Sequence, residues 1–500
     1  MPYTQGEDCM ISHSKLRSIF FVQERQWSGK VFFLFFCFYL LWNLFVALPE
    51  GSSTTLTSYG LPNPECVKTS TDKNSTTTCN PTLQITAKST ANDYMHFFGQ
   101  GDPSSYAAGG LALAGKEWGS AYHTAELSIF ARLKLMNLIG FGMWPPGMFF
   151  LNGLPLTLNT DIPLGLYQVV VASTLWSIAF ALIATLLVLR ARLCLALLLP
   201  IFLMTFPLFH DYLMRYGVLY SETYGAALMT IGFSLLALFY YRKSSNNLML
   251  MAGLCFAASS FFRSQMFPVA VGVSIILTVL CFIKIRSLNA DKRAYGHGIK
   301  IATITFLLAF YLPIGSYMAF NHGALFNAPS AWEAPFSVPA FPDAGAGNFL
   351  ALGGMRAACV VDTKKCEYLH KQLISGASLP QARTEVMKSF IFHPIKFSFY
   401  KLPIAWRFWM ENPGPADSNI VYGYDSIFML AIFALCLIFM IVRKLWLFFW
   451  FTLASVALVF GPPFLLHFEV RYFYLTKVFF LFLPFWLLFI CSPEIKPDAS

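Results

Sequence analysis

The stretch 165–189 reads GLYQVVVASTLWSIAFALIATLLVL and contains no charged side chain, although Arg190 and Arg192 follow it at once. A helix of about 20 apolar residues is long enough to cross the hydrocarbon core of a bilayer. Because lipid offers the backbone no hydrogen-bond partner, such a segment is expected to be helical. The stretch therefore predicts a transmembrane helix.

Similar apolar runs recur along nearly the whole chain. The 500 residues are 56% hydrophobic and only 12% charged, whereas soluble proteins carry roughly 25% charged residues. We expect an all-α polytopic membrane protein, one membrane body with inserted loops. The runs predict ten spans, at approximately 31–49, 165–189, 193–212, 222–241, 247–262, 266–285, 300–320, 426–442, 445–466 and 472–491.

Basic residues flank these runs in a one-sided pattern. If both termini are cytosolic, every basic cluster falls on the cytosolic side, as the positive-inside rule expects; the clusters lie in 1–30, 190–192, 242–243, 284–300 and 443–444. The pattern explains the net charge of +10 without a nucleic-acid partner. It predicts cytosolic tails at 1–30 and 492–500, a transmembrane domain at 31–491, and two large outer loops at 50–164 and 321–425.

Four of the eleven cysteines fall in the outer loops: Cys66 with Cys79 in the first, and Cys359 with Cys366 in the second. Compartments outside the cytosol are oxidising, so two local disulfides are predicted. Unpaired thiols or a different pairing are the alternative.

Both outer loops contain segments with helical features. Asp102 is a good N-cap with Pro103 after it, and Gly115 is a good stop, which predicts a short surface helix between them. The turn Trp144-Pro145-Pro146-Gly147 is rigid and aromatic. In the second loop, 377–411 is expected to be helical and amphipathic. It would either lie in the headgroup layer or cap the membrane body.

Ionisable residues are placed where the predicted spans meet the outer side. Charges at membrane depth are costly and usually functional. Such an arginine and carboxylate cluster suits an anionic phosphate beside a general base; ordinary loop charges, solvated or paired with one another, are the alternative. The residues are Asp211, Arg215, Glu222, Arg263, His467, Glu469 and Arg471.

In order and sidedness, these motifs resemble the GT-C glycosyltransferases, and more narrowly the bacterial branch related to protein O-mannosyltransferases and aminoarabinose transferases. The resemblance covers roughly 95–490. The family's common paired acid is reduced here to Asp102 followed by Pro103. The matching segments are Gly101-Asp102 with Tyr106, the turn Trp144–Gly147, Ser221-Glu222, the helix from Ala252 to Arg263, the segment at His393-Pro394, and Glu469-Val470-Arg471-Tyr472.

The resemblance implies an integral membrane glycosyltransferase that moves a hexosyl or pentosyl group from a polyprenyl-phosphate donor to an acceptor hydroxyl on the outer face. The displacement would be single and inverting, with Asp102 as the base. Glu222 would orient the sugar or share a metal with Asp102; the sequence is compatible with a divalent metal without requiring one. Cations would stabilise the leaving phosphate, and the implied ligands are Arg263, Arg471 and Lys116 for the phosphate, and Tyr106, His467 and Glu469 for the substrates.

The implied setting is the cell envelope, with the protein in a bacterial inner membrane. Its partners would be the lipid-linked sugar, a glycan, lipid or protein acceptor, and membrane lipids. Two other functions remain open at this point, a lipid-linked oligosaccharide polymerase or ligase and a polytopic transporter or flippase, as does a non-catalytic subunit. A transporter predicts internal repeats and charged or broken helices near the bilayer centre, and no clear repeat is present.

Overall fold

The structure, a computed structural model, describes part of the 500-residue chain. The described residues are 24–47, 67–68, 77–78, 102–115, 127–129, 131–132, 145–158, 164–189, 193–204, 220–242, 246–286, 293–320, 361, 387–412, 421–422, 424–465 and 473–491.

Helices dominate these residues. They are α1 (Glu24–Ala47), α2 (Asp102–Ala114), α3 (Gly147–Thr157), α4 (Leu164–Leu189), α5 (Leu193–Met204), α6 (Ser221–Arg242), α7 (Asn246–Phe262), α8 (Met266–Arg286), α9 (Arg293–Phe320), α10 (Pro394–Met410), α11 (Tyr424–Val442), α12 (Trp446–Leu465) and α13 (Tyr474–Cys491). Two antiparallel pairs of two-residue strands join them, β1 (Val67–Lys68) with β2 (Thr77–Thr78) and β3 (Glu411–Asn412) with β4 (Val421–Tyr422). Each of the ten segments predicted as spans overlaps one of the helices.

Several of the helices are apolar enough to cross a membrane. In the described part of the chain, five meet the requirement in both length and composition, within α4, α6, α8, α9 and α11. Shorter apolar helices of 10–17 residues lie within α1, α7, α12 and α13. The protein is therefore a helical membrane protein.

The helix α6 lies at the centre and packs against α4, α7 and α13. Aromatic rings fill these contacts: Trp176 stacks on Phe482 with centroids 6.3 Å apart, and Phe233 lies 5.0 Å from Trp486. The Trp486 indole N–H donates to Ser234 Oγ at 3.2 Å. A buried indole needs such a partner, so this bond fixes how α13 lies against α6.

Large apolar side chains also cover the outside of the bundle. On α1, Phe33, Leu41 and Phe45 are exposed, and on α11 so are Leu435 and Ile438. Exposed apolar area of this extent marks a surface that contacts something other than water. On helices that can span a membrane, that surface faces lipid.

The first predicted loop helix is present with the predicted bounds. The helix α2 begins at Asp102 and stops before Gly115, whose φ of 75° is the left-handed conformation that ends helices. It packs closely on α3. A side chain at Gly110 would place its Cβ 2.7 Å from Asn152 Cβ, so the two helices meet at a distance that only glycine permits.

The strands β1 and β2 lie next to the first predicted disulfide in the sequence, although the four cysteines of the two predicted disulfides all lie outside the described residues. Val67 is paired with Thr78 and Lys68 with Thr77. The disulfides at Cys66–Cys79 and Cys359–Cys366 remain predictions.

The second predicted loop helix is described as α10, within the predicted range 377–411; residues 377–386 lie outside the described part. The helix is amphipathic, and it packs against α11. A bend at His393 precedes Pro394, and the Phe397 N–H donates to the His393 carbonyl. Proline at the first helical position removes only a donor that the helix does not use.

Candidate functional site

Two of the predicted site residues form an ion pair. Glu222 lies in the first turn of α6 and Arg263 directly follows α7, and Arg263 Nη2 is 3.1 Å from Glu222 Oε1. The side chain of Glu222 is fully buried and that of Arg263 is 8% exposed. A buried charge is tolerated when it is paired, so each residue accounts for the other's presence inside the protein.

The helix α2 brings a third predicted residue to this pair. Tyr106 is buried, and its hydroxyl lies 3.4 Å from Ser221 Oγ, which lies 3.4 Å from Glu222 Oε2. These polar atoms form a continuous chain from the first loop helix to the ion pair. The helix that begins at Asp102 therefore contacts Ser221 and, through it, the Glu222–Arg263 pair, with which the sequence analysis had grouped it.

The proline-rich turn lies against the same group. The α3 helix starts at Gly147, where a Cβ would lie 2.8 Å from the Phe261 carbonyl oxygen, next to Arg263. Buried hydrogen bonds tie α3 into the bundle: Gln168 Nε2 donates to Asn152 Oδ1 at 2.8 Å, and the Tyr224 hydroxyl donates to the Gln168 carbonyl at 3.2 Å. The turn is thus held at the end of α7.

A second buried polar group lies where α11 and α13 begin. Lys477 Nζ donates to Ser426 Oγ at 2.8 Å, and it lies over the rings of Trp409 and Tyr474 at 5.3 and 5.6 Å. The Trp409 indole donates to the Ser426 carbonyl at 3.0 Å. Lys477 is fully buried. Hydroxyl and aromatic contacts of this kind stabilise an ammonium ion away from water.

Tyr474 connects the two groups. Tyr474 lies beside Lys477, whose Nζ is 5.6 Å from its ring centroid, and its buried hydroxyl lies within electrostatic range of Asp425 and Glu222. We call the end of the bundle at which α6, α11 and α13 begin and α7 ends the site end. Two carboxylates and two cations are therefore brought together there by four different helix ends.

The sequence analysis did not select Lys477 or Asp425. Lys477 is a lone cation inside an otherwise apolar run, and a charge in a predicted span is itself a sign of a functional or paired residue. The charge of Lys477 within the predicted span 472–491 could therefore have been noticed in the sequence. The partners of Lys477 could not have been predicted, because Ser426 and Trp409 are 51 and 68 positions away.

Another lysine is buried on the inner face of α10. Burial lowers the pKa of Lys401 to about 7, because a low-dielectric environment disfavours the charged form. Lys401 shares its face of the helix with Trp409. The ammonium can therefore change protonation state near neutral pH.

Several predicted residues lie outside the described part of the chain. Lys116, His467, Glu469 and Arg471 lie wholly outside it. The backbone of Asp102 starts α2, but its side chain is not described. Among the described residues, no group of three or more His, Cys, Asp or Glu side chains is arranged to hold a metal ion.

Chemically, the ion pair has no excess charge to offer an anion. Arg263 already neutralises Glu222, so a bound phosphate would compete with the carboxylate for the guanidinium. Lys477 adds a second cation within the same end of the bundle. The arrangement suits a ligand with both anionic and hydroxyl groups, because charged groups, hydroxyls and aromatic rings all lie close together.

Comparison of the chain with protein-family models, with curated proteins and with solved structures gives no match.

Proposed function

We propose that the protein transfers a sugar from a polyprenyl-phosphate donor to an acceptor hydroxyl at the site end of the bundle. One observation carries the proposal: the helix α2, through Tyr106, reaches Ser221 at the start of α6, where Glu222 pairs with Arg263. These are the segments on which the resemblance to GT-C glycosyltransferases rests. Their juxtaposition supports a common site.

In the proposed topology all ten apolar segments span the membrane and both termini are cytosolic, which puts the site end on the outer side of a bacterial inner membrane. The basic turns then lie inside. Residues 102–158 and the α10 segment belong to the two outer loops. The acceptor would reach the site from the outer aqueous side and the donor from the bilayer.

The chemistry assigns a role to each part. Asp102, at the start of α2, would accept the proton of the acceptor hydroxyl while that oxygen attacks the anomeric carbon. The bond to the lipid phosphate breaks in the same step, and the configuration inverts. Arg263, released in part from Glu222, would stabilise the negative charge on the leaving phosphate. Glu222 would hold hydroxyls of the sugar.

The remaining proposed ligands belong to the same scheme. Arg471 and Lys116 would contact the phosphate, and His467 and Glu469 would contact the acceptor or the sugar. Tyr106 would set the distance between α2 and the ion pair, because its hydroxyl contacts Ser221.

The test is a donor screen. Purified protein in detergent is supplied with radiolabelled polyprenyl-phosphate sugars and a membrane extract as acceptor, and label released from the lipid is followed. The comparison variant replaces Arg263 with Lys, which keeps the charge opposite Glu222 but loses the planar guanidinium that suits a phosphate. Release by the wild type that is reduced in this variant supports the proposal. Absence of release with every donor would refute it.

A further inference from the structure

The helix α10 presents three faces of different character. The first packs on the protein, through side chains spaced four residues apart along the helix. All four are buried: Phe397, Lys401, Ala405 and Trp409. Trp409 fastens this face to α11, because its indole donates to the Ser426 carbonyl at 3.0 Å. One side of α10 is therefore docked on the site end of the bundle.

The second face is apolar and exposed. Its side chains follow each other at intervals of four, three and four residues, so they form one stripe along the helix. Since each residue turns the helix by about 100°, the stripe lies roughly a third of a turn from the docked face. The exposed fractions are 72% for Ile395, 74% for Phe399, 54% for Leu402 and 54% for Trp406.

The third face is cationic. Lys396 and Arg407 are both exposed and lie near opposite ends of α10, on the side away from the docked face. Lys396 Nζ also donates to the Val361 carbonyl at 3.1 Å. The helix contains no carboxylate. A cationic face beside an apolar stripe is the arrangement found in helices that lie in a membrane interface.

Exposed apolar side chains are also present on α11, the helix against which α10 packs. Ile427 and Phe428 follow Ser426, the residue that Trp409 binds, and both are exposed, at 47% and 49%. They belong to α11, which is long and apolar enough to cross a membrane. Exposed apolar side chains of α11 therefore begin directly after the residue on which α10 is docked.

We propose that α10 lies in the plane of the membrane surface at the site end. Its apolar stripe (Ile395, Phe399, Leu402 and Trp406) would insert among the acyl chains of that leaflet. Lys396 and Arg407 would lie at the phosphate level and contact anionic phospholipid headgroups. This inference does not depend on the proposed glycosyl transfer.

The sequence left two interpretations of this segment open, a cap on the membrane body and a helix in the headgroup layer. Under this proposal each describes a different face of α10. A helix held by protein on one side and by lipid on another also sets the level of Trp409, and with it the level of the Lys477 group, relative to the headgroups.

The test places a photoreactive residue on each face. Full-length protein with p-benzoylphenylalanine at position 399, or at position 400 as the control one residue further round the helix, is reconstituted in vesicles of phosphatidylcholine and phosphatidylglycerol. After irradiation, mass spectrometry identifies what is attached. We expect several-fold more acyl-chain adducts at position 399. Equal yields at both positions, or attachment of another polypeptide at 399, would overturn the proposal.

The headgroup part is tested in the same vesicles. When Lys396 and Arg407 are both present, the fraction of adducts at position 399 that contain phosphatidylglycerol is expected to exceed the fraction of phosphatidylglycerol in the lipid mixture. In the double variant Lys396→Gln and Arg407→Gln, the phosphatidylglycerol fraction of the adducts should fall to its fraction in the lipid mixture, while the total adduct yield stays the same. An enrichment that survives the double substitution would contradict the role of the two cations. An unenriched wild type would contradict it as well.

Discussion

Arg263 Nη2 lies 3.1 Å from Glu222 Oε1, although the two residues stand 41 positions apart, one in the first turn of α6 and the other directly after α7. The antiparallel pair α6 and α7 places the start of one helix beside the end of the other. Ser259 Oγ reinforces this alignment by donating to the Gly225 carbonyl at 2.8 Å. The ion pair is thus part of the contact between two central helices, as well as the centre of the proposed site.

Replacing Arg263 with Met should destabilise the protein strongly, because it leaves the Glu222 carboxylate buried without its cation. Breaking one side of a buried pair costs about 3–5 kcal/mol. The double variant with Glu222→Gln should recover much of that loss, since no charge is then left buried. Apparent melting temperatures in detergent of both single variants and the double variant measure this coupling. Additive effects of the two substitutions would contradict the pairing.

Gly253→Ala tests the close approach of α7 to α9. The new Cβ would lie 2.6 Å from the Phe306 carbonyl oxygen and 2.8 Å from Ala309 Cβ, so the helices must move apart, at about 1–3 kcal/mol. Gly315→Ala on α9 is the control, because nothing lies within 4 Å of its added Cβ. The apparent melting temperature should fall for Gly253→Ala only. Helix propensity favours alanine over glycine at both positions, so a comparable fall in both variants would show that the loss does not come from the contact of α7 with α9.

Trp409→Phe should loosen the docking of α10. It removes the indole donor to Ser426 and weakens the contact with the Lys477 ammonium; a hydrogen bond and a cation–π contact are each worth about 1 kcal/mol. Limited proteolysis of the 387–423 region should become faster. Trp406→Phe, on the exposed stripe, is the matched control and should be cut at the wild-type rate. Equal rates for all three proteins would exclude Trp409 as the anchor.

The stability of the protein should depend on the protonation of Lys401. Burial lowers its pKa from 10.5 to about 7, so between these values the unfolded chain binds more protons than the folded one. Stability contributed at this site therefore rises as the pH increases from 7 toward 10, by at most about 1.4 kcal/mol per pH unit. Well below pH 7, both the folded and the unfolded form are protonated at Lys401, and the cost of burying the ammonium is fully present.

The measurement compares the wild type with Lys401→Met, which keeps the chain length and apolar stem but does not titrate. Between pH 7 and pH 9, the apparent melting temperature of the wild type should rise relative to that of Lys401→Met. Parallel pH profiles would mean that the Lys401 ammonium is solvated.

Much of the helical architecture follows from the sequence alone. Uninterrupted apolar runs, such as 165–189, leave the backbone no alternative to a helix in lipid, and each of the ten predicted segments overlaps a helix. The ends of α2 were also predictable, because Asp102, Pro103 and Gly115 act locally on two or three neighbouring backbone groups. Local rules of this kind need no knowledge of the tertiary structure.

The site was predictable only in part. Glu222 and Arg263 were recognisable as charges at the ends of apolar runs, yet their pairing depends on the alignment of α6 with α7. The Lys477 group depends on three elements that are distant in sequence, and Ser426 and Trp409 have no individual feature that marks them. The three faces of α10 likewise emerge only once Trp409 fixes which side of the helix is docked.

The most direct test of the proposed transfer concerns Asp102, the residue assigned as the base. Purified wild type and Asp102→Asn are supplied with the radiolabelled polyprenyl-phosphate sugar that the donor screen selects, and release of label from the lipid is followed. The asparagine keeps the size and the N-cap acceptor of the aspartate but cannot accept the proton. We predict release by the wild type and none by Asp102→Asn at an unchanged melting temperature. Equal release by both proteins would contradict the assignment.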